Sequence, residues 1–449
     1  MFDAIPARAA GPFRFLAALP ILVALVFIAM AAATPARAMK IERVVSPGGI
    51  EAWLVEEHAV PLVAFNFAFR GGTTQDPNDK PGVANMLSTL LDEGAGDLDS
   101  AAFQERMQDL SVKLNFSARR DAFQGSMRTL RTNLDDAVDL LSLAVNEPRF
   151  DKDPVERMRA QIIAGLRNEA KDPETVAFEA WFKAAFPNHP YGRLTDGDEK
   201  TVSTITADDI RAFRKRMFAR DNLKIAVVGA IDAKTLGPIL DKVFGKLPAK
   251  ADFLPVADVK PVIGARVVEP MDVPQTVIRF GTLGLKRDDP DFIPAYVMNH
   301  ILGGGSFSSR LYEEVREKRG LTYSIYTFLG AYDHTGILLG GTATRADRAD
   351  ETLKLIESEV QRMAKDGPTA DELAKAKSYL IGSYPLQFDS SSKIASALIG
   401  MQLDNLPIDY METRTAMIEG ITLDQVKAAA KRLLDNGGLT IAIVGQTGV

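Results

Sequence analysis

Two blocks of this chain occur twice at one fixed distance. Ile205-Thr206-Ala207-Asp208-Asp209-Ile210 returns as Ile421-Thr422-Leu423-Asp424-Gln425-Val426, and Leu223-Lys224-Ile225-Ala226-Val227-Val228-Gly229 returns as Leu439-Thr440-Ile441-Ala442-Ile443-Val444-Gly445. Both offsets are 216 residues. A long fixed offset means a duplicated domain rather than a solenoid of short repeats. Each copy reads as an N-capping Thr, a helix and a short buried strand ending in Gly. With 449 residues the chain is too long for one ordinary core, so the duplication has room for two.

Between the copies, residues 247–263 carry Pro248, Pro255 and Pro261 and no helical period, which marks a linker. The halves are then 39–246 and 264–449. Each follows one order. Val63, Phe65, Phe67 and Phe69 alternate with Ala64, Asn66 and Ala68 in an opening strand, matched in half two by Thr276–Leu285. Two helices follow, near 80–93 and 100–109, and near 289–302 and 307–318. A strand pair comes next, near 112–130 and 321–343, then helical stretches and the closing helix and strand. Strands grouped before and after helices predict an α+β fold: two homologous α/β-sandwich halves, each a largely antiparallel sheet with helices packed on one face.

The first 38 residues read as a secretory signal. Arg8 and Arg14 precede an apolar run from Phe15 to Ala33, and Ala36-Arg37-Ala38 has the small-x-small form of a cleavage site, with the cut after Ala38. The other reading is an uncleaved anchor, because the run is about long enough to span a bilayer. A periplasmic, exported protein follows from the signal. The chain has no cysteine, which excludes disulfides, thiolate metal sites and cysteine nucleophiles. The net charge of −6 comes without a basic stripe or Lys/Arg block, so nothing points to nucleic acid.

Several segments resemble the pitrilysin/insulinase family of zinc peptidases, the inverzincins. Phe69-Arg70-Gly71-Gly72-Thr73 through Pro81-Gly82-Val83-Ala84 is similar to the lead-in to that family's zinc helix, and Asn188-His189-Pro190-Tyr191-Gly192-Arg193 to a second family segment. Leu302-Gly303-Gly304-Gly305-Ser306-Phe307-Ser308-Ser309-Arg310-Leu311, followed by Glu314-Val315-Arg316-Glu317-Lys318-Arg319-Gly320-Leu321-Thr322-Tyr323-Ser324, is the longest match. The resemblance spans nearly all of residues 39–449 and implies two α+β halves around a chamber.

It also exposes a loss. The family carries His-x-x-Glu-His, whose two His at i and i+4 ligate zinc from one helix face while the Glu serves as base. Here those positions are Asn85, Ser88 and Thr89. The third-ligand position falls near Ala164 or Gly165, with Glu169 one turn too far on. The four histidines, His58, His189, His300 and His334, have no ligand spacing and are expected to be solvated or satisfied in the core. Asp92 and Glu93 are expected at a solvated helix end. No metal is therefore expected on this chain.

Half two keeps what the resemblance implies are transition-state donors. Arg316 and Tyr323 stand seven apart, on a helix that Ser308 can cap and Gly320 can end, and at the start of the next strand. In the family such a pair serves the metal site of an opposite half, the phenol donating to the oxyanion and the guanidinium anchoring substrate. The plain alternative is an Arg that suits the last helical turn, pairing with Glu313, and a Tyr that is core material. The Gly303–Gly305 run lacks any phosphate-loop spacing and reads as a hinge or close approach. The strand through Leu114, Asn115, Phe116 and Ser117 corresponds to the edge strand onto which the family adds an extended peptide; an ordinary paired strand is the equal alternative.

The expected function is that of a non-zinc subunit in an exported two-chain metallopeptidase: Arg316 and Tyr323 from this chain, zinc on a homologous partner chain, and a peptide as substrate. The alternative is a non-catalytic peptide-binding or structural subunit, like the core proteins of respiratory complexes.

Overall fold

A computed structural model describes residues 39–446. The signal assigned to residues 1–38 lies outside the described residues. Half one opens with β1 (Glu42–Val45), β2 (Glu51–Glu56) and β3 (Leu62–Arg70), then α1 (Val83–Ser88) and α2 (Ser100–Asp109). A hairpin of β4 (Lys113–Ala118) and β5 (Ala122–Leu130) follows. Then come α3 (Leu134–Asn146), α4 (Lys152–Glu169), α5 (Pro173–Ala185), α6 (Glu199–Thr204), α7 (Ala207–Met217), β6 (Leu223–Gly229) and α8 (Ala233–Phe244). Half two runs β7 (Arg266–Glu269), β8 (Gln275–Leu283), α9 (Phe292–Asn299), β9 (Thr322–Ala331), β10 (Gly336–Arg345), α10 (Ala349–Asp366), α11 (Ala370–Gly382), α12 (Ser391–Leu403), α13 (Tyr410–Glu419), α14 (Leu423–Leu434) and β11 (Thr440–Val444).

The six-stranded sheet has the order β1-β2-β6-β3-β5-β4 and the five-stranded sheet the order β7-β11-β8-β10-β9. The repeated blocks occupy equivalent places. β6 lies parallel to β2 and antiparallel to β3; β11 lies parallel to β7 and antiparallel to β8. The helices before them, α7 and α14, both begin with a capping box, Thr206 with Asp209 and Thr422 with Gln425. The last strand of each duplicated unit is thus threaded into the sheet interior, which is why its centre is apolar, over residues 225–228 in β6 and 441–444 in β11.

The alternation in β3 sends Val63, Phe65, Phe67 and Phe69 into a core shared with α1, α3, α7 and α8. Phe69 stacks on Phe218 at 4.2 Å, and Phe67 meets Phe244 edge-on at 5.2 Å. In half two, Ile278 and Phe280 pack under α9, α10 and α14 in the same way.

The second face of each sheet is covered by a helix from the other half, an exchange that periodicity alone does not reveal. α5, from half one, lays Trp181, Phe182 and Ala185 on Ile337, Leu339 and Ala442 of the second sheet. Its Trp181 Nε1 donates to the Thr440 carbonyl at 2.9 Å. α12, from half two, lies on β3 and β6; Gln402 Nε2 donates to the Ile225 carbonyl at 2.9 Å, and Asn66 Nδ2 donates to Ser396 Oγ at 3.0 Å. Arg70, at the end of β3, donates to the carbonyls of Gln402 and Leu403 and to Asn405 Oδ1, closing the C-terminal end of α12. The linker has no regular structure, yet it is pinned: Val259 N donates to His334 O, and Val262 N to Ala185 O.

The tip of the β9–β10 hairpin also enters half one. Asp121 accepts the Tyr191 hydroxyl at 2.9 Å and the Asp333 backbone N–H at 3.1 Å, and the His334 backbone N–H donates to Tyr191 Oη at 3.0 Å. Burial, with the Asp333 carboxylate added, raises Asp121 to about 6.

Helix boundaries depart from the periodicity in three places. The helix expected near 289–302 is α9 over Phe292–Asn299, continued by a π-helical segment at His300–Gly304. The helix expected near 80–93 is six residues of α-helix followed by turns, and the one expected near 307–318 is a 3₁₀ turn (Ser306–Ser308) and a π-helical segment (Tyr312–Glu317).

Two measurements test this seam. Trp181→Ala removes a ring from the junction of the halves and is expected to cost about 3–5 kcal/mol; denaturant unfolding should remain one transition, and two separated transitions would show that the halves are independent. Because the folded pKa of Asp121 is raised, its contribution to stability falls as pH rises from about 4 toward about 6. Asp121→Asn should therefore gain in melting temperature relative to the parent between pH 5 and pH 7.5, and an unchanged gap would exclude this assignment.

Candidate functional site

α1 occupies the place of the metal helix. Its start is built by Asp76, whose carboxylate accepts Gly82 N at 2.8 Å and Ala84 N at 3.0 Å. Burial pushes Asp76 up to about 7, against the pull of these donors and of Arg193 and Arg216. One turn on, Ser88 Oγ donates to the Asn85 carbonyl at 2.7 Å and Thr89 Oγ1 to the Met86 carbonyl at 3.0 Å. Both hydroxyls are therefore turned onto their own helix. At the third position Ala164 is exposed and Gly165 faces open space. Glu169 sits in the last turn of α4, raised by burial and by Asp196 and Asp172. An amide, two self-bonded hydroxyls and no carboxylate at the third position do not fit zinc. Among the described residues no group of three His, Cys, Asp or Glu side chains could hold a metal ion.

The histidines have ordinary surroundings. His58 pairs with Glu56, His189 Nε2 bonds the Ala257 carbonyl, buried His300 stacks on Tyr379, and His334 faces Asp258. Asp92 and Glu93 are not the solvated helix end expected from sequence. Both are half-buried; burial raises Asp92 to about 6, and Glu93 is held by Arg157 and Ser100.

Arg316 and Tyr323 line one cleft of about 300 Å³ with Phe307, Tyr312 and Tyr326. The segment carrying Arg316 is π-helical: Lys318 N donates to Glu313 O, five residues back. Ser309, rather than Ser308, meets its opening turn: Ser309 Oγ accepts Tyr312 N at 3.4 Å, whereas Ser308 lies in the preceding 3₁₀ turn, where its hydroxyl bonds Gly305 O. Gly320, at φ +60°, receives the end of the helix as expected, its N–H donating to Arg316 O. Arg316 pairs with Glu317, not Glu313, and lies 5.5 Å from the Tyr312 ring centre.

Tyr323 is 84% exposed, which removes the reading of it as core material. A β-bulge explains its direction. Ile325 pairs with Thr342 and Thr322 with Thr344, so Tyr323 and Ser324 together oppose one residue. Thr322, Thr342 and Thr344 fix the bulge through hydroxyl bonds to Ala343 O, Ser324 O and Leu321 O. Tyr326, beside it, is tied through Arg279 to Glu174 of α5. Arg310 holds the whole segment from below: Nε and Nη2 grip both oxygens of Glu372 at 2.6 and 2.7 Å, and Nη2 also donates to Gly367 O.

β4 is the outer strand of the first sheet. Its Leu114 side chain is buried in the core and Phe116 packs against the core, whereas Asn115 and Ser117 face outward. Leu114 can therefore offer a peptide only its backbone. Asn115, Phe116 and Ser117 line a cleft of about 390 Å³ whose opposite wall is α12, through Ser396 and Ile399. Sequence reasoning assigned no role to Phe307, Tyr312, Tyr326, Arg310 or Asp76. All lie inside or beside the quoted motifs, and that proximity was the available signal.

Comparison with known proteins agrees with this architecture. Residues 54–199 match the family described as "Insulinase (Peptidase family M16)" and residues 204–380 the "Peptidase M16 inactive domain". The "Non-peptidase homolog YmxG" of Helicobacter pylori is 25% identical over 87% of this chain and 90% of its own length. An uncharacterized zinc protease of Mycobacterium tuberculosis is 27% identical over 90% and 92%. The crystal structure of a peptidase M16 inactive domain from Pseudomonas fluorescens is 30% identical, covers 91% of this chain and 98% of its own, and superimposes with a TM-score of 0.85.

The Arg310–Glu372 clamp has a pH signature. Burial alone would raise Glu372; Arg310 and the Thr369 N–H overcome it and hold the carboxyl down at about 2, against an ordinary 4.5. A depressed carboxylate gives stability above pH 4.5 that is lost as pH falls toward 2. Glu372→Gln is expected to melt below the parent at neutral pH, with the gap closing as pH falls through that window. A gap independent of pH would show that the charge plays no part.

Proposed function

The chain belongs to the insulinase family, peptidase family M16, and from that membership we propose that it is a non-zinc subunit which completes the site of a zinc-bearing homologue. The observation that carries this reading is asymmetric loss. Every metal position holds a residue unfit for zinc, while Arg316 and Tyr323 share one open cleft, with the phenol projected into solvent. Such a Tyr has no use in its own core. It has a use where negative charge develops on a scissile carbonyl oxygen held by another chain.

In that role the phenol O–H of Tyr323 donates to the oxyanion, and the Arg316 guanidinium supplies fixed positive charge beside it. The bulge and the π-helical segment set the two groups before substrate arrives, so no reorganisation is needed during bond cleavage. Water activation falls to the partner. The residues of this chain orient the peptide and stabilise charge. Export to the periplasm, with cleavage after Ala38, belongs to the same proposal; N-terminal sequencing of the periplasmic fraction tests it.

A second reading, a peptide-holding subunit without chemistry, is favoured by the β4–α12 cleft, which exists apart from Arg316 and Tyr323. One experiment separates the two. The purified chain alone should cleave no peptide. Mixed with a zinc-bearing homologue from the same source it should form a complex with zinc-dependent cleavage, and Tyr323→Phe should lower kcat by about 10²–10³-fold. A complex whose turnover is indifferent to Tyr323→Phe supports the holding role. Absence of any complex with zinc-bearing homologues sinks the subunit proposal.

A further inference from the structure

The β4 cleft mixes polar groups with the apolar Phe67, Phe116 and Ile399, and carries one charge. Asn66, Asn115, Ser117, Gln124 and Ser396 present amides and hydroxyls, and Arg119 stands at the C-terminal end of β4. Arg119 is exposed, and among the described residues its guanidinium has no ion pair and no hydrogen bond. No Asp or Glu lines the cleft among the described residues. Unlike Arg316, Arg310 and Arg70, which have carboxylate partners, Arg119 stands uncompensated among the described residues, in a chain whose net charge is −6.

The position of Arg119 is built. Its backbone N–H bonds Ala122 O at 2.8 Å across the hairpin, and its carbonyl accepts Thr73 N at 2.8 Å. Gly72 makes that second contact possible, because a Cβ at Gly72 would collide with the Arg119 carbonyl. The Phe69–Thr73 motif thus fixes the end of the edge strand. Residues 115, 117 and 119 share one side of it, so the guanidinium follows in register with the two outward polar side chains.

We propose that the β4 cleft selects extended peptides bearing a carboxylate, and that Arg119 is the residue that reads it. Main-chain addition to β4 supplies sequence-tolerant affinity, and the free guanidinium supplies the discrimination. The carboxylate has two sources. A peptide running parallel to β4 brings its C-terminal carboxylate toward Arg119, and an internal Glu or Asp side chain at that level offers the same group in either direction. The proposal rests on the reading of β4 as a peptide-accepting edge.

Calorimetry on this chain alone, without a partner or cleavage, tests it. The probes are short acetylated Val/Thr/Ser peptides in three forms: internal Gln with a C-terminal amide, internal Glu with a C-terminal amide, and internal Gln with a free C-terminal acid. At least one carboxylate form should bind about two- to fivefold more tightly than the neutral peptide, as expected for an exposed ion pair. Which form gains identifies the source. Arg119→Gln should bind all three equally, and Arg119→Lys should keep part of the preference; the site is exposed, so both variants should melt with the parent. Equal binding of all three peptides by the parent would overturn the proposal while leaving the edge reading intact. A preference that survives Arg119→Gln would overturn the assignment to Arg119. Failure of every peptide to bind would remove the edge reading and the proposal with it.

Discussion

Each sheet of this protein buries one face under its own helices and takes a helix lent by the opposite half onto the other. That reciprocal cover is the constraint on which the remaining structure depends. A sheet of these dimensions with an apolar second face is unstable in water on its own. Ala442, Leu339 and Ile337 would be exposed without α5, as would the inner rim of β3 and β6 without α12. The duplicated halves are therefore joined by exchange as well as by a linker, and the linker is tied down at Val259 and Val262 because the exchange leaves it little freedom.

The exchange also composes the sites. The β4 cleft has one wall from each half, so its width is set by how α12 seats on β3. Arg70 fixes that seat by gripping the end of α12. In the second sheet, Tyr326 is linked through Arg279 to Glu174 of α5, so the cleft holding Arg316 and Tyr323 also depends on a residue of half one. In an isolated half the β4 cleft would lose one wall, and Tyr326 would lose its tie through Arg279 to Glu174.

Much of this was legible in the sequence where the signal is local. The 216-residue offset located the strands that sit at equivalent places in the two sheets, and the Phe alternation in β3 gave its core face. Gly320 announced a helix end, because a positive φ suits Gly. Asn85, Ser88 and Thr89 showed by residue type alone that these positions carry no zinc ligand of the expected kind. Local signals failed where neighbours compete. Ser308 and Ser309 are equally good caps by type, and the 3₁₀ turn decided between them. A π-helical segment has no distinctive composition. Asp92 reads as solvated by type, and only packing buries it.

The sequence by itself determined the duplication, the α+β class and the residue types, unfit for zinc, at Asn85, Ser88 and Thr89. These follow from residue type and spacing, which are properties of neighbouring residues along the chain. Only the tertiary structure decided which helix covers which sheet, that Tyr323 points to solvent through a bulge, and that Arg119 stands beside an edge strand without a partner among the described residues. Those outcomes depend on contacts between residues far apart in sequence. Their energies come from burial and pairing across the seam, and no pattern confined to one segment encodes them.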